Sequence, residues 1–177
     1  MAALVDFSKW IHQRGSGSVE PLPLYVAILP AILLIVRFVL DTAVIVAATR
    51  SDTGASRQLV LAALDKRFEL LLSVPLALEY EAVLKRPEQI AASHGTVQEI
   101  DKLLAALIAN ARPVNRSFFW RPLLRDPNDD MVLETALSGY ADLLVTYNLR
   151  DFEPTASDLG ISVVTPRDAL KRIKEGR

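Results

Sequence analysis

Apolar and polar positions follow two different regimes along the chain, and the change comes near residue 36. From Arg37 onward, short apolar runs alternate with stretches of helical spacing. RFVLD (37–41) reads as a buried strand ending in an acid, and VIVAA carries the apolar character on just behind it. Asp52, Gly54 and Ser56 mark a turn and a helix cap. ASRQLVLAALDK then sets Leu59, Leu64 and neighbouring alanines at helical spacing. FELLLS (68–73) is a compact strand candidate. Ser73 followed by Pro75 opens a helix through LALEYEAVLKR, which stops at Pro87. Thr96 and Glu99 form a capping box ahead of a helix over IDKLLAALIANA. RPVNRSFFWRPLLRDPNDD is irregular or an edge segment. MVLETALSG is a helix closed by Gly139 as its C-cap, ADLLVT a strand, NLRDF a loop, ISVV a strand and PRDALKRIK a last helix.

Strands of this kind, apolar without clean alternation, belong to a mostly parallel sheet covered on both faces. The pattern therefore predicts a three-layer α/β/α domain. In such sheets ligands bind beyond the carboxyl ends of the strands. That rule puts Asp41 and the segment from Thr146 to Asp151 on one rim.

Residues 1–35 do not share this pattern. A polar, Gly/Ser-containing stretch is followed by LPLYVAILPAILLIV, from Leu22 to Val36, which Arg37 stops. The run is shorter than the roughly 20 apolar residues of a membrane span and contains Pro23 and Pro30. No cleavage site of a signal peptide follows it. The expected division is an N-terminal extension over 1–35, set apart from the domain, and a compact domain over 36–177, with no membrane association.

Composition narrows the chemistry. The 20 Lys plus Arg against 21 Asp plus Glu leave a net charge of −1, so any nucleic-acid contact must come from a local patch or through metal ions. The absence of Cys excludes thiolate zinc sites and disulfides and fits a reducing, cytoplasmic setting. The two histidines, His12 and His94, are too few for a multi-histidine centre. A metal site here must use oxygen ligands, which favours Mg²⁺ or Mn²⁺.

Acids recur at the switch positions: Asp41 at a strand end, Glu79 about one turn into a helix, Asp126, Asp129 and Asp130 around a helix start, and Asp151 beyond a strand. Carboxylates gathered closely repel one another unless a divalent cation neutralises them. Such a gathering suits metal-assisted phosphodiester hydrolysis, which needs no His base. Each acid also has a plainer reading. Asp129 and Asp130 fit a helix N-cap and first turn, Glu79 and Glu81 a solvated helix face, and Asp41 and Asp151 ordinary loop positions. Spacing alone supports an α/β domain with an acidic rim.

Beyond spacing, FVLDTAVIVAATRSDTGASRQLVLAALDKRFELLLSVPLALEYEAVL, RDPNDDMVLETALSGYADLLVTYNLRDF and GISVVTPRDAL occur in one order. Together they resemble PIN-domain proteins of the group containing toxins of toxin–antitoxin pairs, over about residues 36–172. The resemblance implies a PIN-like fold and a Mg²⁺- or Mn²⁺-dependent endoribonuclease. It places catalytic acids on Asp41, Glu79, Asp129 and Asp151. Metal ligation falls on Asp41, Glu79, Asp129, Asp126 and Asn148, with Thr42, Thr146 and Asp130 in support. It also implies RNA as substrate, a cognate antitoxin protein and a homodimer. Two positions depart from the family pattern. Ala43 stands where the family usually has Asn, and Asn148 stands at the fourth acidic position. A catalytically weakened PIN-like RNA- or protein-binding module is the alternative these departures support.

Arg50, Arg57 and Arg125 are the candidate substrate-binding cations, with Arg116, Phe118, Phe119, Trp120 and Arg121 near them; FFW also suits a core plug or an oligomer interface. A phosphatase or nucleotide binder is the competing enzyme class. The chain lacks GxGxxG and P-loop motifs, and Asp41-Thr42-Ala43 lacks the second Asp of an aspartyl-phosphate site.

Overall fold

A computed structural model describes residues 36–115 and 123–175. The 1–35 extension and the Arg116–Trp120 and Arg121 positions fall outside the described residues. The elements run β1 (Arg37–Leu40), α1 (Thr42–Arg50), α2 (Ala55–Leu64), β2 (Glu69–Ser73), α3 (Val74–Leu84), α4 (Pro87–Ser93) and α5 (Val97–Asn110). They continue with β3 (Arg112–Val114), α6 (Pro127–Gly139), β4 (Leu143–Val145), α7 (Leu149–Asp158), β5 (Ser162–Val164) and α8 (Pro166–Lys174).

The strands form one 5-stranded sheet in the order β3-β2-β1-β4-β5, and every neighbouring pair is parallel. Phe38, Val39 and Leu40 on β1 are fully buried, as are Leu144 and Val145 on β4. Consecutive strand side chains point to opposite faces, so burial at every position means that helices cover both faces. This is the predicted α/β/α arrangement. Phe38 also stacks on Phe68 with ring centroids 4.3 Å apart, joining β1 to the entry of β2. Among the described residues no helix is long and apolar enough to cross a membrane.

Several elements differ from the sequence reading, each for a local reason. VIVAA, which the apolar pattern alone assigns to no element, forms the body of α1, because the Asp41 side chain caps it and Val44, Ile45 and Ala48 face the core. PEQIAAS forms α4, with Pro87 in its first turn. The segment read as irregular or edge does supply an edge strand, β3 beside β2, as one of its two readings expects. NLRDF is not a loop; it opens α7, which Phe152 and Ala156 anchor to the interior. Helix α6 starts at Pro127 rather than at Met131, with Asp126 as its cap.

Gly139 does not provide the left-handed C-cap, which is Tyr140 with φ 55. The glycine instead allows close packing, since a Cβ there would lie 2.6 Å from Leu71 Cδ1.

The strand order reverses direction between β1 and β4, and this switch point is where a doubly covered parallel sheet opens a crevice. At the carboxyl ends, the Asp41 N–H donates to the Val145 carbonyl at 2.9 Å. Asp41 and Thr146 are thereby held side by side.

Candidate active site

The site begins with Asp41, one residue after β1 and one before α1. Its carboxylate is buried. Thr146, itself fully buried, donates from Oγ1 to Asp41 Oδ2 at 2.6 Å. The main-chain N–H groups of Thr42 and Ala43 also turn toward the carboxylate. Burial pushes the Asp41 carboxyl above its ordinary range, and these hydrogen bonds oppose the rise. The same Thr146 oxygen accepts the Asn148 N–H at 2.9 Å. One hydroxyl therefore fixes both the first acid and the turn leading into α7.

Beneath Asp41 lies Tyr80, a residue the sequence reading passed over. Its ring is fully buried and its hydroxyl donates to the Leu40 carbonyl. Burial first, and the charge of Asp41 second, push its phenol well above the usual range, so it remains a neutral donor. The available signal was the Tyr within LEYE, since a buried Tyr needs a partner for its hydroxyl. Tyr80 ties α3 to the strand end that carries Asp41.

The three acids at the start of α6 divide their roles. Asp126 is the N-cap and accepts from Asn128 N–H at 2.8 Å. Asp130 accepts the Leu123 and Leu124 N–H groups on Oδ1 at 2.8 and 3.0 Å, fastening the preceding segment to the first turn. Asp129 faces the other acids. Partial burial, then the charges of Asp41, Asp126 and Asp151, push its carboxyl up to about 6. Asn148 Nδ2 donates to Asp151 Oδ2 at 2.6 Å and lies 3.4 Å from Asp129 Oδ2.

Asp126, Asp129 and Asp151 line a cleft of about 510 Å³ together with Arg125 and Arg150. Arg150 was missed because its segment reads as a plain loop. Arg50 is not in this cleft; it borders a separate groove with Thr42 and Ala43. Arg57 requires a correction. It lies on the inward side of α2 and is only 3% exposed, so its guanidinium serves the interior and is not a surface contact for substrate. Glu79 is half-buried on α3 and is not among the carboxylates acting on Asp129.

The donor set suits a hard divalent cation. It consists of oxygen ligands, and negative charge is concentrated enough to hold Asp129 partly protonated near neutrality. Among the described residues, no three Asp, Glu or His side chains converge tightly enough to enclose an ion. That is compatible with Mg²⁺, which keeps several waters and commonly takes only one or two carboxylates from the protein.

The sequence profile of the PIN domain matches residues 37–150. Among solved structures, the fold is similar to that of VapBC2 from Rickettsia felis bound to a DNA fragment from their promoter, at TM-score 0.52 and 17% identity. The match covers 73% of this chain and 98% of that chain. No curated protein matches by sequence.

Proposed function

The chain belongs to the PIN-domain family, and from that premise we propose that it is a metal-dependent endoribonuclease acting as the toxin of a toxin–antitoxin pair. The observation that carries this reading is the crowding of Asp41, Asp126 and Asp151 around Asp129 at the sheet's switch point. Asp41 and Asp129 would hold Mg²⁺ or Mn²⁺. Glu79, one residue before the Tyr80 that reaches the Leu40 carbonyl, is the further acid proposed for it.

When bound, such an ion supplies charge neutralisation for the phosphate and a lowered pKa for water. The chain's own residues set the geometry. Thr146 orients Asp41 toward the rim. Asp151, held by the Asn148 amide, is placed to receive a proton from water at the phosphate. Arg125 and Arg150, lining the same cleft, attract the phosphates of an RNA strand that the acids alone would repel.

The proposed partner is an antitoxin protein, and the likeness to VapBC2 supports it. For the homodimer, the support is an exposed apolar face where Leu78 on α3 and Ile108 on α5 are 58% and 55% exposed. A cytoplasmic setting follows from the same proposal.

A second reading, a weakened binding module, draws on Asn148. Its neutral amide bridges toward Asp129 and Asp151, where a fourth carboxylate would have added charge. One assay separates the two: cleavage of a mixed RNA pool with Mn²⁺, with EDTA, and by Asp41→Asn. Metal-dependent cleavage lost in the variant supports the nuclease. A folded wild type that cleaves nothing leaves the binding module.

A further inference from the structure

Besides the acidic cleft, the described residues form a second groove of about 580 Å³ that the nuclease reading leaves unused, lined by Tyr147 and by residues of α1, α3 and α4. Its lining is short and largely apolar on α1 (Ala43, Val46 and Ala47), with Val83 at the end of α3. Tyr147 forms one wall, and Arg50 beside Gln89 lies along it.

Tyr147, like Tyr140, is an exposed aromatic residue; at 54% exposure its ring contributes little to the core. Yet it is held in place, because its hydroxyl is 2.8 Å from Oγ of the buried Ser56. An aromatic ring anchored at its polar tip, with its body open to a groove, has lost its conformational freedom before any ligand arrives. Ala43, two residues after Asp41, lines the groove with only a methyl group.

We propose that this groove is a nucleobase subsite, in which a base next to the scissile phosphate of single-stranded RNA stacks on Tyr147. Arg50 then meets the flanking phosphate, its guanidinium having more donors than Gln89 accepts. Unpaired bases on aromatic faces are the usual means of binding single strands, because every base has a π-face. The charge favours nucleic acid over an apolar protein segment, since the cation Arg50 borders the groove and no acid among the described residues lines it. The inference rests on the nuclease reading for its substrate but not on turnover for its test.

The test is binding of a short mixed-sequence single-stranded RNA, end-labelled with fluorescein, measured by anisotropy with Mg²⁺ present. The full chain carries Asp41→Asn throughout, and wild-type cleavage is assayed separately. Tyr147→Ala should weaken binding roughly 5- to 150-fold, the span of one lost base–aromatic stack. Tyr147→Phe keeps the ring but loses the Ser56 anchor, so it should bind less tightly than the parent and more tightly than Tyr147→Ala. Ala47→Leu, a substitution that suits a helix, fills the groove while leaving the Tyr147 ring in the chain and should weaken binding as well. Equal binding by the parent and Tyr147→Ala overturns the subsite, as does no RNA binding by the parent. If Tyr147→Ala and Ala47→Leu bind RNA normally, the groove passes to a protein partner. Should wild type fail to cleave while the Tyr147 pattern holds, the nuclease reading falls and the subsite stands.

Discussion

Helices α1 and α6 both begin at an aspartate that caps the helix, yet the two starts are built differently. At α1 a single acid does everything: Asp41 caps the helix, receives the Thr146 hydroxyl and is buried. At α6 the work is divided, with Asp126 capping, Asp130 fastening the incoming segment, and Asp129 left facing the other carboxylates. A buried acid with fixed donors is pre-oriented, whereas a partly exposed acid among like charges stores repulsion that a cation can relieve. The rim therefore combines one rigid anchor and one electrostatically strained partner.

The sharpest way to break this contrast is to neutralise each cap in turn. On the proposed reading, in which Asp41 is a metal ligand, Asp41→Asn should lower RNA cleavage at least about 100-fold. Asp126→Asn should retain most activity, since Asn also caps helices well. Equal losses would show that the two starts are not functionally distinct. Next in size is Thr146→Val, which deletes the hydroxyl shared by Asp41 and Asn148. A fall in cleavage of about 10- to 100-fold is expected, the usual cost of losing the group that orients a ligand. Far-ultraviolet circular dichroism should show the sheet and helices intact.

Neighbours on α6 should separate by stability. Asp130→Ala leaves the Leu123 and Leu124 N–H groups without their acceptor and should cost about 1–3 kcal/mol in urea unfolding. Asp129→Asn should instead raise the stability of the metal-free protein at neutral pH, while reducing cleavage. A loss of stability in both would place Asp129 in a structural role.

The smallest effect is a pH dependence. The Asp129 carboxyl titrates at about 6 in the folded protein against an ordinary 3.8. Between those values the folded state keeps a proton that the unfolded chain has released. Stability without metal should thus decline as pH rises through that window, with the full penalty present above it. Melting temperatures of wild type and Asp129→Asn should converge in acid and diverge toward neutrality. Added Mg²⁺ should raise the wild-type value more at neutral than at mildly acid pH.

Much of this architecture is legible in the sequence, because the buried strands are apolar at consecutive positions and Ser73 and Thr96 cap their helices as they read. The missed helices have physical causes. VIVAA is rich in β-branched residues, and only the Asp41 cap and the packing of Val44 and Ile45 make it helical. In α7, Pro154 and the polar run around it conceal a helix held by two inward residues, Phe152 and Ala156. Within the rim, sequence locates the acids but not their duties. Which of Asp126, Asp129 and Asp130 binds backbone depends on how residues 123 and 124 approach the helix, a matter of chain path and not of spacing. Arg57 misled for a related reason: helix periodicity that puts Leu59 and Val60 inside also turns this arginine inward.

Two junctions at the carboxyl edge have no slack. Asp41 is the whole connection between β1 and α1, and Ser73 is both the last residue of β2 and the cap of α3. A chain built this way can explore new chemistry at its rim by exchanging side chains, but not by changing length. One inserted residue after Leu40 would swing Asp41 off the Val145 carbonyl and turn α1 by about 100°. Descendants of this sequence should therefore diverge in loop length at the amino edge of the sheet and keep these two connections invariant in length.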